Sequence, residues 1–148
     1  MKFGDVVIAT ASVVLIGLTL ESVLMVMFIP LNSDLMSDVL AFVIAFLVAS
    51  LIVGYVFAPK IQEGSRIRAI GSIVVLSAFT LMLSIMVWFA SPLASSWVAY
   101  SVQSAFNASR WTNYDYAAYS ALAVTMDVVI ALVLSFIGLY AGSKLKKA

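Results

Sequence analysis

Four long stretches of this sequence are almost free of charge, and they constrain the fold more than any other feature. Residues 39–59 contain no charged side chain, and Glu21 is the one charged residue between positions 6 and 28. Residues 69–90 are again uncharged, and Asp127 is the one charged residue between positions 117 and 142. About 20 apolar residues suffice for an α-helix to cross the hydrocarbon core of a bilayer. The pattern predicts four long hydrophobic helices, over residues 5–28, 37–57, 65–90 and 117–142.

The composition indicates that the outside of this fold is apolar as well as the inside. The 148-residue chain is 64% hydrophobic and only 10% charged, with a mean hydropathy of +1.15. Ordinary soluble domains contain roughly 25% charged residues. A soluble helix bundle needs a polar outer face on every helix, and this sequence has too few polar residues to supply them. We therefore expect lipid, or further copies of the chain, to cover the helices.

The connections predict how the helices are arranged. The first two are short, which suits antiparallel neighbours. Pro59 and Pro92 mark the ends of the second and third helices, because proline cannot continue a helix, and Ser37 or Asp38 is expected to cap the second. We therefore expect one all-α domain over residues 1–148, an antiparallel bundle of four long transmembrane-type helices.

The third connection, residues 91–116, differs from the other two. It is longer and rich in aromatic residues, and Val98, Val102 and Ala105 fall at helical spacing within it. Aromatic rings with polar groups favour the boundary between apolar and aqueous surroundings. A short amphipathic helix is therefore expected between the third and fourth long helices, across one end of the bundle.

The charges are divided between the two ends of this predicted bundle. One end collects the basic residues Lys2, Lys60, Arg66, Arg68, Lys144, Lys146 and Lys147. Basic loops stay on the cytoplasmic side of a membrane, which predicts that both termini are cytoplasmic. Lys and Arg also bind phosphates, so this end is expected to contact lipid headgroups or, without sequence preference, DNA. Asn107 begins a glycosylation pattern, Asn-Ala-Ser, at the opposite end.

Glu21 and Asp127 are the two acids inside the apolar stretches. A carboxylate at mid-bilayer costs roughly 2.5–3.5 kcal/mol on insertion scales, which makes such residues candidates for function. If the first and fourth helices bring the two together, they could share a proton, as a proton-coupled carrier requires. The alternatives are that either acid is protonated and hydrogen-bonded to Ser or Thr, for example Thr19, Ser22 or Thr125, or that it lies in a contact between subunits.

Small residues at helical spacing predict where helix backbones approach closely. The predicted packing residues are Ala41, Ala45, Ala49 and Gly54 on the second helix, and Ala131, Ser135, Gly138 and Gly142 on the fourth. The two glycines at the end of the fourth helix could equally serve as caps. The spacing does not say whether the partner is the same chain or another copy.

The residue types exclude much chemistry. The chain has no Cys and no His, which removes disulfides, thiolate nucleophiles, zinc sites and imidazole acid–base catalysis. No nucleophile–base pair can be assembled from the remaining residues. We therefore expect neither an enzyme nor a bound metal or cofactor.

The layout resembles that of the coat proteins of archaeal spindle-shaped viruses. The likeness lies in the apolar cores 6–20, 39–58, 69–90 and 128–140, combined with short basic segments at residues 60–68 and 144–147. The resemblance implies a self-assembling shell of hydrophobic helices in a virion, with the basic end towards DNA. Glu21 and Asp127 do not follow from it. The alternatives are a small four-span proton- or ion-coupled carrier and an accessory subunit of a membrane complex.

Overall fold

The computed structural model describes residues 1–28, 35–89 and 113–146. Within these ranges the chain forms no β-strand and five α-helices. They are α1 (Phe3–Phe28), α2 (Leu35–Val56), α3 (Ala58–Gln62), α4 (Arg66–Phe89) and α5 (Asn113–Leu145). The described part of the chain is therefore all-helical, which confirms the predicted fold class at this level. The predicted amphipathic helix within residues 91–116 lies largely outside the described residues, as do Asn107 and Lys147.

Several helix ends in the structure differ from the predicted ones. Because α2 begins at Leu35, Ser37 and Asp38 lie inside its first turn, and the prediction that one of them caps the helix is wrong. Leucine and methionine are good helix formers, so the helix extends past the polar pair. Helix α5 begins before residue 117 and continues past Gly142 to Leu145, which leaves Gly142 inside the helix and not at its cap.

The connection expected to start at Pro59 contains the short helix α3. Phe57 N–H donates to the carbonyl of Val53, and Ile61 N–H donates to that of Phe57, both at 2.9 Å, so the chain remains coiled across the junction. Pro59 lies in the first turn of α3, where its missing N–H has no helical partner to lose. Proline therefore separates α2 from α3 without creating an extended loop.

The long helices pack in a ring of neighbours. Helix α2 contacts α1 and α5, and α4 contacts the same two helices. Helix α3 packs against the ends of α2, α4 and α5. The interior is built from side chains such as Val13, Phe46, Ile73 and Leu139, each almost inaccessible to solvent. The buried apolar surface of the helices is thus concentrated along their shared axis.

Hydrogen bonds and an ion pair establish which helix ends lie together. Lys60 of α3 forms a salt bridge with Asp5 at the start of α1. Gln62 of α3 donates from Nε2 to the carbonyl of Ser143, near the end of α5, at 2.6 Å. The starts of α1 and α4 and the ends of α2 and α5 therefore meet around α3. We call this the basic end.

Three described segments are long and apolar enough to cross a membrane: Phe3–Leu24, Arg66–Leu83 and Val128–Leu145. In α2 the apolar segment Leu40–Val56 is slightly shorter. The expectation of membrane-length hydrophobic helices is therefore confirmed for α1, α4 and α5.

Candidate functional site

The outer surface of the long helices is apolar over most of their length. Leu15 on α1 and Val75 on α4 are each 66% exposed, Val133 on α5 is 54% exposed, and Val48 on α2 is 40% exposed. Between the two ends of the bundle, Glu21 on α1 and Asp127 on α5 are the charged residues in the part of the chain that the structure describes. Contiguous exposed apolar surface of this kind is typical of sites that contact a membrane or another protein.

The hydroxyl groups on this exterior are bonded to their own helices. Ser12 Oγ donates to the carbonyl of Ile8 at 2.8 Å, and Thr19 Oγ1 donates to that of Leu15 at 2.7 Å. Ser72 Oγ donates to the carbonyl of Arg68 at 3.0 Å. A hydroxyl that bonds to the carbonyl one turn earlier does not need water. These side chains are therefore compatible with an apolar neighbour.

The structure brings the described basic residues together at the basic end. Lys2, Lys60, Arg66, Arg68, Lys144 and Lys146 come from the starts of α1 and α4, from α3 and from the end of α5. Asp5 and Glu63 are the acids among the described residues of this end. Asp5 is engaged by Lys60, so the remaining cations give this end a positive surface.

Two tyrosine rings lie beneath these cations. Lys144 Nζ is 4.6 Å and Arg66 Cζ is 6.0 Å from the centroid of the Tyr140 ring. Lys146 Nζ is 5.5 Å from the centroid of the Tyr55 ring. Cations within about 6 Å of an aromatic face are attracted by its quadrupole. Sequence analysis missed both tyrosines, although the four-residue spacing of Tyr140 and Lys144 was available to indicate one contact.

Gln62 holds the end of α5 against α3. Its amide Nε2 donates to the carbonyl of Ser143 and also to that of Lys146, the latter at 3.2 Å. The last carbonyls of a helix have no partner within the helix, so a side-chain donor stabilises the terminus. Gln62 was not identified from the sequence, because no local pattern links positions so far apart in the chain.

The two predicted intramembrane acids lie on helices that share neighbours. Glu21 is partly buried on α1. Asp127 belongs to α5, but its side chain is outside the described residues. Helices α1 and α5 each pack mainly against α2 and α4, among the described residues. The proposed pairing of the two acids therefore stays a prediction.

The eight predicted packing residues are all buried. Ala41, Ala45, Ala49 and Gly54 lie on α2, and Ala131, Ser135, Gly138 and Gly142 lie on α5. A Cβ built on Gly138 would meet Cβ of Ser50 at 2.7 Å, and one built on Gly142 would overlap the carbonyl oxygen of Leu51. The glycines of α5 thus face α2 of the same chain.

Among the described residues, no group of three His, Cys, Asp or Glu side chains is placed to hold a metal ion. Comparison of the chain with protein-family models, with curated proteins and with solved structures finds no match. The structural features that bear on function are the apolar exterior, the basic end and the partly buried Glu21.

Proposed function

We propose that this chain is a non-catalytic structural protein whose apolar helix faces are covered by lipid and by further copies of itself. In its most specific form the proposal is a coat-type protein, with its basic end against phosphate. The single observation that carries it is the apolar exterior described on all four long helices, which hold two charged residues, Glu21 and Asp127, between the ends of their described parts.

Contact with lipid or with further copies is favourable because an isolated chain leaves a large area of apolar surface exposed. Each square ångström of apolar surface removed from water contributes about 25 cal/mol. Side chains such as Leu15, Val75 and Val133 would gain this contribution against lipid or against another subunit. The hydroxyls of the exterior are already bonded to their own helices, so covering them leaves no donor unpaired. Assembly is therefore favoured on every side.

In a membrane the proposal takes the form of an antiparallel bundle of four spans. Helices α1, α4 and α5 contain the membrane-length segments, and α2 supplies the fourth span. The basic end then lies at the cytoplasmic headgroups, with both termini on that side. In a virion shell the same end faces the DNA, where the cations of many copies offset backbone charge.

Electron microscopy of the purified full-length chain tests this proposal. In mild detergent, with and without added phospholipid, we expect regular filaments, shells or two-dimensional arrays. Added duplex DNA should be retained in these particles and lost as the salt concentration rises. A monodisperse monomer in several detergents, which also remains soluble once detergent is removed, would rule out self-assembly through apolar faces.

A second candidate, a proton- or ion-coupled carrier, is supported by separate observations. Glu21 is partly buried on α1, whose other charged residue, Asp5, lies in the first turn. In the described part of the chain, the hydroxyls of Thr10, Ser50 and Ser77 are buried on three different helices without a hydrogen-bond partner. Buried polar groups of this kind are uncommon and often have a functional reason.

Proton flux into vesicles tests the carrier directly. The reconstituted chain should acidify the vesicle lumen when a pH gradient is imposed, and Glu21→Gln or Asp127→Asn should abolish this flux. The exposed Ser22→Ala beside Glu21 serves as the control and should leave the flux unchanged. Absence of flux in the parent chain would exclude this second candidate and leave the structural proposal intact.

A further inference from the structure

We infer that the basic end binds the phosphate of an anionic phospholipid headgroup at the seam between α4 and α5. The residues assigned to this contact are Arg66, Tyr140 and Lys144. The inference rests on the proposed function in one respect, that lipid covers the helices. It goes beyond that function by naming the chemical partner and the part of the surface that the partner occupies.

The first observation is a pair of cations on one ring. Arg66 comes from the start of α4 and Lys144 from the end of α5, and both lie over Tyr140. In the described part of the chain, neither cation has a carboxylate within ion-pair distance. Two cations near one ring, with no carboxylate paired to either, make the surface there positive and attract an anion. Guanidinium and ammonium groups both donate charge-assisted hydrogen bonds to phosphate.

The second observation is the order of side chains along the outer face of α5. Phe136, Tyr140 and Lys144 follow one another at intervals of four residues, which places them on one face of the helix. The rings of Phe136 and Tyr140 stack with centroids 6.4 Å apart and planes 4° apart. Val133 extends the exposed apolar surface away from the basic end, and Ile137 widens it beside Phe136. These residues form a stripe along α5 that changes from apolar side chains, through the phenol of Tyr140, to the ammonium group of Lys144.

This order matches a phospholipid standing beside the bundle. Its acyl chain would lie along Val133 and Phe136, its interfacial region beside Tyr140, and its phosphate at Lys144 and Arg66. Tyrosine is enriched at this depth because its ring is apolar and its hydroxyl is polar. The ligand of this surface must cover the apolar residues and also place an anionic group at the cations. A phospholipid does both, with its acyl chain and its headgroup. A DNA duplex has phosphates but nothing to cover Phe136, so the stripe favours lipid over nucleic acid.

The neighbouring helix repeats part of the arrangement. Tyr55, near the end of α2, is 47% exposed, and Lys146 lies over its ring. Exposed Ile52 and Leu51 continue the apolar surface below it. A cation over a half-exposed tyrosine, above an apolar helix face, thus occurs twice at the same end of the molecule. Because Arg66 adds a second cation, the Tyr140 position is the stronger of the two.

Photo-crosslinking from position 136 tests the inference. The full-length chain, with Phe136 replaced by benzoylphenylalanine, is reconstituted into vesicles of about four parts phosphatidylcholine to one part phosphatidylglycerol, an anionic lipid. Mass spectrometry then identifies the crosslinked lipids. We expect the ratio of phosphatidylglycerol to phosphatidylcholine among the crosslinked lipids to exceed that of the vesicle about fivefold, since one basic residue near a charged surface contributes about 1 kcal/mol.

Two double variants that lose the same charge distinguish a specific binding site from a general attraction of anionic lipid to the basic end. Arg66→Gln with Lys144→Gln should return phosphatidylglycerol to its bulk share. Lys2→Gln with Arg68→Gln removes two exposed cations away from Tyr140 and should preserve the enrichment. Replacing Arg66 by Lys and Lys144 by Arg keeps both charges and should also preserve it.

Several results would overturn the inference. Equal loss in both double variants would mean that only the summed charge matters. Crosslinks to a second copy of the chain would mean that protein covers this face, and displacement of the lipid by a duplex oligonucleotide would assign the cations to DNA. A chain that inserts into the mixed vesicles without enriching phosphatidylglycerol contradicts this inference alone. A chain that fails to insert contradicts the proposed function as well.

Discussion

Gly54 of α2 lies directly against the backbone of Leu139 of α5. A Cβ atom at position 54 would be 2.6 Å from the carbonyl oxygen of Leu139 and 2.8 Å from its Cα. Real Cβ atoms do not approach backbone atoms this closely, so the two helices can meet here only because residue 54 has no side chain. Small residues allow such contacts in hydrophobic bundles, where dispersion contacts between helices replace the hydrophobic effect.

Gly54→Ala should therefore destabilise the fold. The added methyl group meets backbone and not a movable side chain, so α2 and α5 must separate, at a cost of about 1–3 kcal/mol. Gly71→Ala on α4 is the matched control, since nothing lies within 4 Å of a Cβ at that position. There the same change should stabilise the helix by about 0.4–1 kcal/mol. Thermal unfolding in a single detergent measures both, and similar shifts for the two variants would contradict the close contact.

The apolar exterior leads to a prediction about where a charge is tolerated. Val75 and Ile67 lie on α4 with similar exposure, 66% and 69%, but Ile67 is at the basic end and Val75 is well inside the apolar region. Val75→Lys should reduce membrane insertion, because a lysine deep in a bilayer costs roughly 2.5–3.5 kcal/mol. Ile67→Lys should insert normally, since its ammonium can reach the headgroups.

The fraction of each variant that resists alkaline extraction from membranes measures this difference. If water and not lipid surrounded α4, both lysines would be tolerated equally, since the two positions are similarly exposed. Equal extraction of Val75→Lys, Ile67→Lys and the parent chain would therefore argue against lipid at the middle of α4.

The salt bridge between Lys60 and Asp5 links α3 to the start of α1. Asp5→Lys should lower the unfolding temperature, because it places two ammonium groups side by side at this junction. Lys60→Asp in the same chain should recover most of the loss by restoring an opposite-charge pair. Glu63→Lys, which changes an exposed acid of the same end by the same charge, is the control. If the double variant is no more stable than Asp5→Lys, the two side chains do not interact.

The sequence predicted the parts of this molecule that depend on composition. The uncharged stretches around Val13, Phe46 and Ile73 form helices that bury these side chains, because burial removes apolar surface from water. The meeting of the described basic residues around α3 was expected from the prediction that successive helices alternate in direction. The small residues of α2 and α5 were identified by their spacing, and the structure adds that these two helices face each other within one chain.

The features that the sequence did not predict depend on contacts between distant positions. The cations over Tyr140 come from α4 and α5, so only the packing of those helices brings Arg66 and Lys144 together. The incorrect cap at Ser37 or Asp38 has a local cause. Ser37 and Asp38 favour helix ends, but Leu35 and Met36 before them favour the helix interior, and the helix includes all four. Helix α3 was missed because Pro59 indicates a helix end and, equally, a helix start.

Gln62 provides the last prediction, because it connects the packing of α3 to the geometry of the proposed lipid contact. Gln62→Ala removes the donor to the carbonyls of Ser143 and Lys146, and the loss of such bonds costs about 1 kcal/mol each. The end of α5 should then fray, so amide hydrogens of its last turn should exchange faster while those near Leu139 are unaffected. Glu63→Ala, an exposed neighbour, should leave exchange unchanged. Because Lys144 lies in the frayed turn, the variant should also weaken phosphatidylglycerol enrichment at position 136. Faster exchange with unaltered enrichment would show that Lys144 binds the phosphate even when the last turn of α5 is not helical.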